Sequence, residues 1–335
     1  MNVLEEDIAN ICNMDYIPWE KLRGCRVLVT GATGLIGGLV ARTLVAANRK
    51  YGLNLQAIAG VRNLDRASAL PDEVVRVVGD VTTPIKVEGS VDFIVHAASE
   101  TSSRNFVERP VETIRTAIDG TVNILELARE KSTRSLLYVS SMEMYGEPDQ
   151  SRYIVAENDS GRLDTMSPRS SYPEGKRMAE AICCAYASEY GVPAKVARLV
   201  QTFGPGVAKT ENRVFAQFAR AVMEHRPIVL KTDGSKAHCY CYTVDAVTGL
   251  LTVLLKGGVG EAYNVSNEAN FMSIREMAEM LTDRVVYEID NSVCYPPSAK
   301  LLLKSDKLRA LGWRPTVGVQ EMYNRLMEWM DAPTF

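Results

Sequence analysis

Two short stretches carry residues whose types and spacing suit proton transfer. In SYPEGKRMAEAI, Tyr172 and Lys176 lie four apart at the start of a helical pattern, so both fall on one helix face. A phenol ionises near ~10 in water, and a cation beside it favours the phenolate, so such a pair can act as a base near neutral pH. In VSSMEMYG, the apolar run Leu136, Leu137, Tyr138, Val139 gives way to Ser141 and then Glu143. That acid arrives where a chain leaving a sheet should turn small and polar. YxxxK alone is common on surface helices, and a loop glutamate is often only solvated. The pairing gains weight from the elements that must position it.

The first of these elements is VLVTGATGLIGG, which puts Gly31, Gly34 and Gly37 directly after a strand pattern and at the opening of a helix, with Thr33, Leu35 and Ile36 between them. Glycine lets backbone amides approach a pyrophosphate, and the helix N-terminus supplies complementary partial charge, so the stretch predicts a dinucleotide site. The second strand ends in AGVRN, without the acid that would accept from an NAD ribose. Arg62 there can pair with a 2′-phosphate, which favours NADP slightly over NAD. Asp80, followed by Val81, closes the third strand and can accept from the adenine amino group.

The runs RVLVTG, LQAIAGV, VVRVVGD, FIVHAA, SLLYVSS and AKVARLV read as strands, alternating with helical patterns at Leu35 to Asn48, Pro110 to Glu130 and Tyr172 to Tyr190. This alternation predicts an α/β fold with a Rossmann-type doubly wound parallel sheet, whose carboxyl edge collects the loops that bind ligands. Residues 1–204 are expected to form the dinucleotide-binding domain and 205–335 mainly a smaller α/β substrate domain, with 236–264 packing back on the first. In the second part, PIVLKTDGSKAHCYCYTVDAVTGLLTVLL reads as a strand, a turn at Asp233-Gly234 and a helix. Proline-rich spots fall at Pro296-Pro297 and Pro315, and VQEMYNRLMEWM is an amphipathic ending.

The 335 residues are 46% hydrophobic and 24% charged, with a net charge of −3, so no general attraction to nucleic acid or anionic membranes is expected. The N-terminus lacks the order of a signal peptide, and no apolar run approaches the ~18 residues of a membrane span; a cytoplasmic setting follows as an expectation. Seven cysteines (Cys12, Cys25, Cys183, Cys184, Cys239, Cys241, Cys294) show no CxxC pair or metal-ligand spacing, so reduced packing thiols and no metal are expected.

Taken together, GATGLIG, GDV, HAAS, YVSSMEMYG, YPEGK, RLVQTFGP, VDAV and LGWRP resemble the extended short-chain dehydrogenase/reductase family, specifically its nucleotide-sugar epimerases, dehydratases and decarboxylases. The EGKR form, with PVETIRTAIDGTVNILELAR before it and ENRVFAQF after it, looks most like the UDP-glucuronate decarboxylases. By that resemblance Tyr172 would take a sugar hydroxyl proton as hydride passes to nicotinamide. Lys176 would bind the nicotinamide ribose, Ser141 would hold the same sugar hydroxyl, and Ala97 and Ala98 would line the cofactor. Ser99, Gln201, Arg213 and His238 fall at substrate positions. The family's decarboxylases usually carry Asn in place of Gln201 and Arg in place of His238, whereas Arg213 matches a diphosphate contact.

Glu143 matches an acid that, in the dehydratases and decarboxylases, faces the sugar carbon next to an oxidised C4. Met142 stands where dehydratases place a proton-donating Asp, and a thioether cannot donate. The resemblance therefore implies transient C4 oxidation of a nucleotide sugar, with Glu143 favouring a C5 step and decarboxylation while 4-epimerisation stays open because Ser141, Tyr172 and Lys176 suffice for it. It also implies a homodimer paired through the helices at 110–130 and 172–190, where Met178, Ile182, Ala185 and Tyr186 give an apolar surplus. A net NADPH-dependent keto-sugar reductase and a non-catalytic nucleotide-binding protein remain alternatives.

Overall fold

The six short apolar runs are strands of one parallel sheet: β1 (Arg26–Thr30), β2 (Gln56–Val61), β3 (Val75–Val78), β4 (Phe93–His96), β5 (Ser135–Ser141) and, after a short strand β6 (Ile154–Val155), β7 (Ala194–Leu199). The computed structural model describes residues 2–148, 151, 153–289 and 300–332; Cys294 and Pro296-Pro297 lie outside them. Beyond residue 200 the chain alternates between sheets. β8 (Gln201–Phe203) and β10 (Ala237–Tyr242) belong to a smaller sheet, and β9 (Ile228–Leu230) pairs with β13 (Val285–Tyr287). β11 (Ala262–Val265) returns as the seventh strand of the large sheet, whose order is β11-β7-β5-β4-β1-β2-β3. β12 (Phe271–Ser273) and β14 (Lys300–Leu303) flank β10, and β6 pairs with β14.

The strands are apolar along their length because both faces are covered. Side chains alternate across the sheet, so Val27, Val29, Phe93, Val95, Leu137 and Val139 join one core while Leu28, Ile94, Leu136 and Tyr138 join the other. On the first face lie α2 (Leu35–Tyr51) and α8 (Thr243–Lys256), with α1 (Val3–Cys12) packed on both. On the second lie α5 (Pro110–Glu130) and α6 (Ser171–Tyr190), joined along their lengths. The smaller helices are α3 (Leu64–Ala67), α4 (Ser103–Glu108), α7 (Val214–Met223), α9 (Ile274–Leu281) and α10 (Asp306–Arg309), and the amphipathic ending forms α11 (Val319–Asp331).

The stretch from Pro227 to Leu255 holds two strands, not one: β9 and β10 flank the turn at Asp233-Gly234, and only then does α8 begin. Gly234 has φ +68°, which suits it to that turn. α8 is buried almost throughout and rests on β5 and β7. The N-terminal helix, which Asn2 and Glu5 open as a capping box, is fixed by a buried cluster. Asp7 accepts from Tyr242 Oη at 2.6 Å and from Arg325 Nη2 at 2.8 Å, tying α1 to β10 and α11. Among the described residues no helix is long and apolar enough to cross a membrane.

Candidate active site

A cleft of about 420 Å³ runs along the carboxyl edge of β1, β2, β4, β5 and β7, where a doubly wound sheet gathers its loops. At one end the glycine loop packs against the end of β4. Gly31 has φ +68°, and a Cβ there would stand 2.8 Å from the Ala97 carbonyl and the Ala98 nitrogen. A Cβ on Gly37 would collide with the Gly31 carbonyl oxygen. Both positions must be glycine, and the opening of α2 is left bare, which is the surface a pyrophosphate needs. The loop therefore fits a dinucleotide.

Gly31, Thr33, Gly34, Leu35, Ile36, Gly37, Arg62, Asp80, Val81, Ala97 and Ala98 all line this cleft. Arg62 is exposed and lies 3.9 Å from the Asp80 carboxylate, a loose pair open to solvent. Burial pushes the Asp80 carboxyl up, but bonds from Thr82 N at 2.9 Å and Thr82 Oγ1 at 2.8 Å outweigh it and hold the carboxyl low. Arg66, on α3, joins Arg62 at this end. The sequence spacing VRNLDR could have revealed it.

At the other end, β5 and α6 bring Ser141, Glu143, Tyr172 and Lys176 together, with Ser99, Gln201 and Arg213 also at the wall. β5 stops at Ser141, whose Oγ accepts from Glu143 N at 3.2 Å and starts a tight turn over Met142–Tyr145. Arg177 clamps that turn onto α6, donating from Nε to Met144 O at 2.6 Å and from Nη2 to Tyr145 O at 3.2 Å. Glu143 is then held by Arg169, Nη2 to Oε2 at 2.7 Å. Tyr172 stacks on Phe106 with ring centroids 4.2 Å apart and planes 10° apart. Phe106 and Arg169 left no mark in the sequence, because α4 and the turn before α6 reach the site only through the fold. Met142 is buried and also lines the cleft.

Lys176 is buried, and its Nζ donates to Val139 O at 2.8 Å, 4.7 Å over the Tyr138 ring and 5.6 Å from the centre of the Tyr172 ring. Burial brings its pKa down to about 8. The expected depression of the phenol by this lysine is not met. Desolvation, then the negative charge of Glu143, push Tyr172 up to about 12, against lowering by the Ser141 hydroxyl, Arg213 and Arg169. In this state Tyr172 keeps its proton at neutral pH.

His238 is a further correction. It lies on β10, paired opposite Met272 of β12 and Leu301 of β14, and does not line the cleft. It is buried 4.7 Å from the Tyr240 ring, and desolvation drops its pKa to about 3. A neutral imidazole enclosed by strands on both sides cannot take the anion-binding role of an arginine.

Comparison with known proteins agrees with this geometry. The profile of the NAD dependent epimerase/dehydratase family matches residues 27–266. UDP-glucuronic acid decarboxylase 6 of Arabidopsis thaliana is 31% identical over 306 residues, covering 88% of this chain and 86% of the relative. UDP-glucuronic acid decarboxylase 1 of Xenopus tropicalis is 29% identical over 311 residues, covering 91% and 72%. Among solved structures, the dTDP-glucose 4,6-dehydratase DesIV of Streptomyces venezuelae, with NAD bound, superposes with a TM-score of 0.75 at 24% identity, covering 91% of this chain and 96% of that one. The strand–glycine–helix loop, the Tyr172–Lys176 pair beside Ser141 and the matched span agree: this chain is an enzyme of the NAD dependent epimerase/dehydratase family.

Proposed function

We propose that this enzyme remodels the hexose of a nucleotide sugar through transient oxidation at C4 followed by a C5-directed step, with decarboxylation of a uronic acid as the leading reaction. The observation that carries this reading is the convergence of Ser141, Glu143 and Tyr172 at one end of a cleft whose other end is the glycine loop. The naming of the relatives as UDP-glucuronic acid decarboxylases supports it.

Gly31, Gly34 and Gly37 would hold a nicotinamide cofactor, which would supply reversible hydride exchange and, when oxidised, a positive charge. Ser141 holds the sugar hydroxyl, and Tyr172, once ionised to the phenolate, takes its proton. Once C4 is a ketone, the C5 position is activated, and Glu143 is the carboxylate on hand for proton movement there. Met142 has no proton to give a departing hydroxyl, which argues against dehydration. Gln201 and Arg213 are the wall residues suited to the nucleotide diphosphate and sugar, and Lys176 the one suited to the nicotinamide ribose.

Arg62 and Arg66, both exposed at the adenosine end, favour NADP over NAD. The same pair supports a second reading, a net NADPH-dependent reductase of keto-sugars. The solvent-facing Val111, Ile114 and Met178 on α5 and α6 favour a homodimer through those helices, in keeping with a cytoplasmic enzyme. Incubation with a panel of nucleotide sugars, read by mass spectrometry, tests the reaction. Loss of carbon dioxide supports decarboxylation, loss of water points to dehydration, an unchanged mass with a shifted sugar signal points to epimerisation, and consumption of NADPH points to the reductase.

A further inference from the structure

Arg169 lies in the turn before α6, outside the Tyr-Lys spacing, and the reaction outlined so far gives it no part. Its guanidinium holds Glu143 at 2.7 Å and lies 4.8 Å over the Phe106 ring, and Phe106 in turn stacks on Tyr172 at 4.2 Å. The ion pair is too exposed, 41% and 28% at the two side chains, to matter much for folding. What distinguishes it is what the two charges face. Glu143 opposes ionisation of the phenol and Arg169 favours it.

The other polar and charged groups that face Tyr172 are Ser141 and Tyr138 from β5, Lys176 from α6 and Arg213 from the start of α7. Arg213 is itself paired with Glu211 at 2.8 Å, and Lys176 is bonded to the Val139 carbonyl. Arg169 is therefore the cation fastened to the same carboxylate that works against the phenolate.

We propose that Arg169 is a positioning residue for proton transfer at Tyr172, acting through Glu143: it fixes the direction of the carboxylate and offsets its charge at the phenol. The proposal rests on Tyr172 being the proton-transfer group. Phe106, 4.8 Å below the guanidinium, helps hold it in place.

The test is the pH dependence of sugar oxidation alone, followed as reduced nicotinamide in a single turnover of the cofactor-loaded enzyme. Arg169→Met moves the rising limb to higher pH by about one unit, Glu143→Gln moves it lower, and the double variant returns it close to wild type. Arg169→Lys, which keeps the charge without the fork, gives a smaller alkaline shift. A limb left in place by Arg169→Met, or an alkaline shift that persists in the double variant, overturns the proposal. Where Arg169→Met abolishes oxidation at every pH, retention of the limb in Arg169→Lys supports a charge role and equal loss in Arg169→Lys overturns it. A Tyr172→Phe protein that still oxidises sugar overturns the underlying reading and the proposal with it. An inactive Tyr172→Phe beside an unmoved Arg169→Met limb overturns the proposal alone.

Discussion

The Glu180 carboxylate accepts from the Ser140 hydroxyl at 2.5 Å, one residue before Ser141, and holds Arg198 Nη2 at 2.7 Å with its other oxygen. Glu180 lies on the same face of α6 as Tyr172 and Lys176, so one helix face carries the proposed proton-transfer pair and the brace behind it. Arg198 continues the network to Tyr145 Oη at 2.9 Å, which donates to Asn264 Oδ1 at 2.7 Å on β11. Both members of the ion pair are buried. Glu180→Ala leaves a buried guanidinium unpaired and is expected to cost about 3–5 kcal/mol in urea unfolding. The combined Glu180→Leu, Arg198→Met variant should cost less than the single change, and a larger cost would contradict the pairing argument.

Two enclosed histidines set the acid limit of stability. His96, within 2.7 Å of Thr30 Oγ1, and His238 are both drawn from 6.5 down to about 3, chiefly by burial. Below pH 6.5 the unfolded chain binds protons that the native state excludes, so stability is complete above that pH and is lost as pH falls toward 3. The urea midpoint should drop between pH 7 and pH 5, and His238→Phe should flatten that slope. An unchanged slope would show that this ring titrates freely in the native state.

Glu143 is expected to act after oxidation. Glu143→Gln should leave formation of reduced nicotinamide within a few-fold of wild type while slowing final product by roughly 10²-fold or more. Product formation at the wild-type rate would return Glu143 to a role in packing the loop.

Arg62 and Arg66 are proposed to favour NADP. Arg62→Ala and Arg66→Ala should each weaken NADP on the order of tenfold and NAD little, measured by titration calorimetry. Equal weakening of both cofactors would remove the case for NADP.

Much of the fold was legible because buried parallel strands are apolar on both faces and glycines at fixed intervals have few other uses. Tyr172 and Lys176 were legible because helix periodicity stacks them. Phe106 and Arg169 were not, since nothing local distinguishes an aromatic or an arginine that the fold carries to a distant site. His238 misled for a related reason. Its place in GSKAHCYCY suggested a substrate contact, but pairing on both sides of β10 encloses it. β10 itself was obscured by its CYCY sequence, which ran into the apolar helix that follows, and β11 is only Ala262–Val265, too short and mixed to stand out.

Tyr172 is proposed to move a proton during oxidation of a nucleotide sugar in this cleft. The most direct test is single-turnover oxidation of UDP-glucuronate by wild type and Tyr172→Phe, read as reduced nicotinamide and as product mass. Wild type is expected to form reduced nicotinamide and a product of altered mass, while Tyr172→Phe keeps its cofactor but oxidises at least about 10²-fold more slowly. Oxidation by Tyr172→Phe at the wild-type rate would contradict it.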